Sequence, residues 1–411
     1  MIRLVVRQGD AMQETVESPV TGGTFSLSLP IVDTAVPIAI VADLTGPSQH
    51  LVGALPAFVA DETTGTVRIV VGPPGRCGVV YGATLRALRS GAGAATIGTF
   101  AIVAGGEAPT ATSRTIEFFD LLVQRPSSVE IALDAPLGQT QLVRLAAKRA
   151  LVVGSNDAAL ILDLTSSATP LSPVALHAGA GARSATVALA DRGAVVLGGD
   201  DSGVPSDAVT WVSSDGSTQS SHLLAPRRDP AAVAVGDLVI VAGGAAAGAP
   251  AIEWIDAITH DAHATDPAVD DGARFGAVLS VAPGATHAYL FGGVDASGVP
   301  RADALAFELC PAPCRAVAMP WLDASPPGAG RAVATTVGTV VLPSTAPADA
   351  LRGVVWSADA PHADVRPLEL PRTRAAGAEL AAGIAAVFGG SDPDAPRDDV
   401  ELCFPADVAL P

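Results

Sequence analysis

The sequence predicts an all-β protein: a seven-bladed β-propeller over residues 77–411, preceded by a small β-sandwich over residues 1–76. Three observations predict it. A short apolar run ending in a glycine pair recurs at a nearly constant step through most of the chain. The composition is turn-rich, with 42 glycines and 33 prolines among 411 residues. Ahead of the repeat, apolar residues alternate with others at period two between turn signals, as half-buried strands do.

The repeat comes first. Clear copies are Ile102–Gly106, Val195–Gly199, Val239–Gly244, Tyr289–Gly293 and Ala386–Gly390, and degenerate copies are Leu151–Ser155 and Val340–Ser344. Counted from positions 105, 154, 198, 243, 292, 343 and 389, the steps are 49, 44, 45, 49, 51 and 46. Seven copies at that step indicate blades of four strands each. About 15 residues before the glycines stands an arginine: Arg183, Arg228 and Arg374 at 15, Arg89 at 16, Arg274 at 18 and Arg331 at 12, with Gln139 in the second copy. Phe118, Trp211, Trp356 and Leu402 follow 13 residues after, and Trp254 and Phe307 stand two residues off. Each blade then reads as a small-residue strand, an apolar strand ending at Gly-Gly, an aromatic strand and a fourth strand such as Val129–Leu133. Glycine at the strand exit permits positive φ and close backbone approach.

These motifs resemble the kelch-repeat β-propeller family over residues 85–411. The family's tyrosine before an acidic residue is Phe, Trp or Leu here, and of its later tryptophan only Trp321 remains. In kelch substrate adaptors, arginines at similar positions bind acidic peptides. The resemblance therefore implies a non-enzymatic binding or scaffold module whose ligand is a protein, an acidic peptide or an acidic small molecule. Arg89, Arg183, Arg228, Arg274, Arg331 and Arg374 would ring the channel mouth, each guanidinium offering a rigid donor fork to carboxylate or phosphate. The alternative is that each arginine caps its own blade, bonding backbone carbonyls or an aspartate among Asp200, Asp201, Asp207, Asp295, Asp303, Asp392, Asp394 and Asp399.

Residues 1–76 lie outside the repeat. Ile2, Leu4 and Val6 form one alternating set, Phe25, Leu27 and Leu29 a second, Ile38 and Ile40 a third, and Val67, Ile69 and Val71 a fourth. By pattern the module looks like the Ig-like or transthyretin-like sandwiches of bacterial surface proteins, with Gly72–Gly75 as a stiff junction. Cys403 matches Cys310 by position in the repeat, and Cys77–Tyr81 looks like the strand missing from the last blade. The expectation is that residues 77–81 complete that blade and that Cys77 bonds Cys403, leaving Cys310 and Cys314 to close a small ring. The alternatives are closure by residues 406–410 and four free thiols. Disulfides place the protein in an oxidising compartment, that is secreted, periplasmic or at the cell surface. Met1–Val6 reads as a strand rather than an export leader.

Composition removes other classes. At 49% hydrophobic the chain is not a disordered acidic tail. A net charge of −18, with Lys148 the only lysine, is the wrong sign for a nucleic-acid binder. No run of about 18 apolar residues exists to span a bilayer. A monomer without cofactor or metal is expected. His260 and His263 have an HxxH spacing but read as a hairpin tip, short of the converging donors that a metal needs. The acidic turns 200–207 and 295–303 read as aspartate-capped turns rather than calcium loops. Ser213–Thr218 resembles the Asp-box turn of sialidase propellers. The competing function is a carbohydrate-active kelch enzyme such as a sialic acid mutarotase-like epimerase, with Glu379 or His362 as acid/base. Copper radical oxidases and sialidases need tyrosines that a chain holding only Tyr81 and Tyr289 does not supply.

Overall fold

A computed structural model describes residues 1–9, 12–19, 33–60, 66–108, 114–167, 169–181, 183–244, 249–264, 274–281, 286–301, 303–309, 313–320, 330–343, 352–357, 360–370, 372–392 and 395–405. The regular elements among them are strands, apart from one short 3-10 turn at 190–192. The strands β1 (Ile2–Gln8), β2 (Met12–Ser18), β3 (Ile38–Thr45) and β4 (His50–Phe58) form an antiparallel sheet in the order β2-β1-β3-β4. Next comes β5 (Cys77–Thr84). The first repeat sheet is β6 (Gly93–Ile97), β7 (Phe100–Ala104), β8 (Thr115–Asp120) and β9 (Arg125–Ala132), paired in chain order. The second is β10 (Thr140–Ala146), β11 (Arg149–Gly154), β12 (Ala159–Asp163) and β13 (Leu171–Pro173). The third is β14 (Ala185–Ala188), β15 (Gly193–Leu197), β17 (Val204–Ser213) and β18 (Thr218–Arg227), with the two-residue β16 (Asp200–Asp201) folded back on β17.

The fourth sheet is β19 (Ala231–Val235), β20 (Leu238–Ala242), β21 (Ile252–Asp256) and β22 (Ala262–Ala264). The fifth is β23 (Val278–Val281), β24 (His287–Phe291), β25 (Asp303–Leu309) and β26 (Pro313–Pro320). Two hairpins follow, β27 (Gly330–Thr335) with β28 (Gly338–Pro343) and β29 (Arg352–Ser357) with β30 (Ala360–Pro367). The last sheet is β31 (Ala376–Ala381), β32 (Ile384–Phe388) and β33 (Asp399–Cys403), and its fourth member is β5.

Each apolar run of the repeat is the second strand of its sheet. These strands are apolar on both faces because each face packs on a different neighbour. Ala101 and Val103 enter one core with the last sheet, while Ile102 and Ala104 enter another with the second sheet. Val195 and Leu197 face the fourth sheet, and Ala194 and Val196 face the second. The aromatic residues fall into one register once turn lengths are absorbed. Phe118 stands opposite Ile102, Trp211 opposite Val195, Trp254 opposite Ile240 and Leu402 opposite Ala386, each three residues before its glycine. The first strands touch in chain order through β6, β10, β14, β19, β23, β27 and β31, and β31 also lies against β6.

β5 runs antiparallel to β33 with Cys77 opposite Cys403, and a disulfide joins the two cysteines. Residues 406–410, Cys310 and Trp321 lie outside the described residues, as does the ring expected between Cys310 and Cys314. The N-terminal sheet is no detached stalk. Val41, Val52 and Ala54 share a core with Phe119 and Leu121 of the first repeat sheet and Phe388 and Phe404 of the last. Its other face gathers Ile2, Leu4, Val6, Ile38 and Ile40 against Leu122. Residues 67–71, expected as a strand, run irregularly here and pack Val67, Ile69 and Val71 on that face. Residues 25–29 lie outside the described ones, so the described part of the module is a single sheet. At Gly72 a Cβ would stand 2.2 Å from the Phe404 ring, so only glycine seats this stretch on the last sheet.

Candidate functional site

The strand-ending glycine carbonyls need donors, and buried arginines supply them. Arg89 Nη1 donates to Gly105 O (2.7 Å), Arg274 Nη1 to Gly292 O (2.9 Å) and Arg372 Nη1 to Gly389 O (2.9 Å), and Arg227 Nη1 donates to Gly243 O. These four arginines are at most 1% exposed. On the third strand a glutamate faces three of them: Glu117 for Arg89, Glu253 for Arg227 and Glu401 for Arg372. The second carboxylate oxygen accepts a backbone N–H from three residues before the arginine, Arg86 N (2.7 Å), Leu224 N (2.6 Å) and Glu369 N. A buried ion pair persists only when its remaining polar valences are filled in this way. Burial pushes the Arg372 guanidinium down and the Glu401 carboxyl up, so desolvation outweighs their mutual attraction.

The backbone of three of these latch arginines also joins neighbouring sheets. Gly199 N donates to Arg227 O (2.9 Å), Gly244 N to Arg274 O (2.6 Å) and Gly390 N to Arg89 O (2.7 Å). The glycine before each donor has φ between +58° and +67°, and a Cβ there would lie 2.6–2.7 Å from the same carbonyl. The glycine pair is therefore a joint between sheets. This corrects two expectations. Arg89 and Arg274 are buried latches and do not reach a channel mouth.

In the third sheet a neutral pair replaces the latch. His177 Nε2 lies 2.9 Å from Gly198 O, and its Nδ1 lies 2.8 Å from the Thr210 hydroxyl, which also accepts the His177 N–H. This set is satisfied by a neutral ring that donates from Nε2 and accepts at Nδ1. Burial holds His177 below the ordinary histidine value of 6.5. The unfolded chain therefore takes up a proton that the native site resists, and stability is lost as pH falls below 6.5. One such group contributes at most about 1.4 kcal/mol per pH unit. Urea midpoints at pH 7.5 and 5.5 are expected to fall further apart in the native sequence than in His177→Gln. Equal pH dependence in the two proteins would refute this.

The other expected arginines occupy different positions. Two residues past the latch the chain turns into the first strand, at Gly91, Asp229, Gly276 and Arg374, with Arg183 equivalent in the third sheet. All five have left-handed φ, including the non-glycine Arg183 (63°), Asp229 (52°) and Arg374 (54°). A non-glycine residue there costs about 1–2 kcal/mol. Backbone bonds link these turns from sheet to sheet: Gly91 N to Arg374 O (2.7 Å), Asp229 N to Arg183 O (2.7 Å) and Gly276 N to Asp229 O (3.0 Å). Their side chains pair across sheets. Arg183 Nε donates to Asp229 (2.7 Å), Arg374 pairs with Glu107, and Arg228 stands 3.4 Å from Asp200 and over the Phe275 ring at 5.4 Å. These three are partly exposed but neutralised by their partners.

Arg331 differs from all of these. It lies on β27, and its Nη1 crosses to Ala92 O (2.9 Å) and Thr140 O (3.0 Å) on the first and second sheets. No carboxylate among the described residues pairs with it. Burial, aided by the Arg374 charge, pushes its guanidinium down to about 10, so it stays protonated at neutral pH. It lines a cavity of about 750 Å³ bounded by the beginnings of β6, β10, β14, β19, β23, β27 and β31. Gln139, Gln141, Ser155 and Ser184 join Arg183, Asp229 and Glu107 in the lining.

Other candidates are placed elsewhere. His260 stacks on Trp211 (4.2 Å) and His263 on Trp254 (4.1 Å), so the HxxH pair serves two separate ring contacts. Asp215 accepts from Ser217 N and its hydroxyl, and Asp295 from Ser297 N and Val299 N, which caps their own turns. Glu379 is held by Thr336 and Gly383 N, and it is not among the residues lining the cavity. The His362 side chain lies outside the described ones. No helix among the described residues is long and apolar enough to cross a membrane. Compared with known proteins, the chain matches no family model and no curated protein.

Proposed function

We propose that the chain is a divergent, kelch-like seven-bladed β-propeller, closed by pairing β5 with β33, and that it is a non-enzymatic binding module. The ligand is acidic and sits in the central cavity at Arg331. One observation carries the binding reading: a protonated guanidinium lines the cavity without a carboxylate partner. Arg331 is half-buried in an open-sided cavity, and an unpaired charge drawn partly out of water there is costly, a cost that a bound anion lowers. The closed ring is supported by the bond from Gly390 N to Arg89 O, which repeats between last and first sheets the joint found between neighbours. It is supported too by the core that those two sheets share. The non-enzymatic reading rests on the cavity carboxylates Glu107 and Asp229, which are both engaged by arginines and so poorly placed to move protons. The Cys77–Cys403 bond supports work in an oxidising compartment.

The test is melting temperature against citrate, sialic acid, inorganic phosphate and a hexa-aspartate peptide, in the native protein and in Arg331→Met. At least one anion is expected to raise the native melting temperature and to leave Arg331→Met unmoved. A shift of equal size in both proteins, or none in either, would overturn the reading.

A further inference from the structure

We infer that the cavity ligand is a monoanion with an apolar body, a monocarboxylate, rather than a polyanion or an acidic peptide. This rests on the cavity being a binding site and narrows its ligand class.

The first argument is a charge count. Arg183 is cancelled by Asp229, and the lining carboxylate Glu107 by Arg374, which stands outside the lining, so Arg331 is left as the one charge there without a partner. A second or third negative charge on the ligand would meet those two rim carboxylates and a protein of net charge −18. The second argument is donor geometry. Arg331 Nη1 is committed to Ala92 O and Thr140 O, which fixes the guanidinium plane. Its Nε and Nη2 have no acceptor among the described residues. That edge is a single fork, the right number of parallel donors for one carboxylate.

The third argument is the wall. The lining includes the half-buried Ala94 and Ala232 and the edges of Leu142, Ala185, Leu279 and Val333, whose side chains lie mostly in the cores between sheets. Hydrocarbon laid against the two alanines is rewarded at about 25 cal/mol per Å², and the polar groups beside them are uncharged amides and hydroxyls. The volume of about 750 Å³ lies in the range that small-molecule sites occupy. A single charged fork in a lining whose other charges are cancelled suits an acid with one carboxylate and a hydrocarbon body.

Isothermal titration tests this with octanoate as probe, against acetate, octanol, citrate and a hexa-aspartate peptide. Octanoate is expected to bind one-to-one, at least tenfold tighter than any comparator. Arg331→Met is expected to weaken it at least tenfold. Tighter binding of citrate or peptide, lost in Arg331→Met, would overturn the monocarboxylate and keep the acidic-ligand module. Octanoate binding at several sites, or untouched by Arg331→Met, would overturn the monocarboxylate site. No binding by any of the five would overturn both readings.

Discussion

Replacing Arg227 with methionine is expected to cost about 3–5 kcal/mol of stability, whereas the same change at its neighbour Arg228 is expected to cost about 1 kcal/mol or less. Arg227 is fully buried against Glu253, and Arg228 is nearly a third exposed at 3.4 Å from Asp200. Without Arg227, the Glu253 carboxylate keeps only the Leu224 N–H and stays enclosed. It must then take a proton or admit water, and either disrupts the joint between the third and fourth sheets. The double variant Arg227→Met/Glu253→Leu removes both charges and is expected to recover most of the loss, because an apolar pair of similar volume replaces a buried ion pair at little cost. Urea unfolding of the four proteins checks this. Equal destabilisation at 227 and 228 would contradict the latch.

The double variant Cys77→Ser/Cys403→Ser is expected to lose stability of up to about 6 kcal/mol in the chain-entropy account, because the bond joins residues 326 apart. Dithiothreitol is expected to lower the native melting temperature and leave the double variant unchanged. Non-reducing peptide mapping gives an independent readout. A Cys77–Cys310 or a Cys314–Cys403 linkage would contradict the pairing.

The repeat strands were legible because their signal is doubled. A strand covered on both faces is apolar throughout, and the glycines that end it cannot carry a side chain against the next sheet's carbonyl. The pairing of β5 was legible from Cys77 and the short apolar run after it. The arginines were not separable by spacing. Arg227 and Arg228 are adjacent, and Arg372 and Arg374 are two apart, so a count back from the glycines falls on either register. Turn lengths before the first strand vary by more than that difference. Glu117, Glu253 and Glu401 were the missed signal. Each stands 10 or 12 residues after its glycine and next to the aromatic position, and a search for partners confined to aspartates in the turns passes over them. One of those aspartates pairs as considered, Asp200 with Arg228, while Asp399 and Asp392 meet arginines outside the expected series, Arg372 and Arg397. The special status of Arg331 depends on which carbonyls it reaches across the cavity, and these lie 239 and 191 residues away in the chain.

The pairing of β5 with β33 sets an order of events during synthesis. β5 leaves the ribosome early, while its partner strand emerges roughly 16–65 s later at 5–20 residues per second. Throughout that interval Cys77 is a thiol without its partner, and Val80 and Val41 await a core built partly from Phe388 and Phe404. The N-terminal sheet therefore cannot complete its buried surface until the last repeat arrives. A nascent chain arrested before residue 384 should leave Cys77 open to alkylation, and release of the full chain should close it.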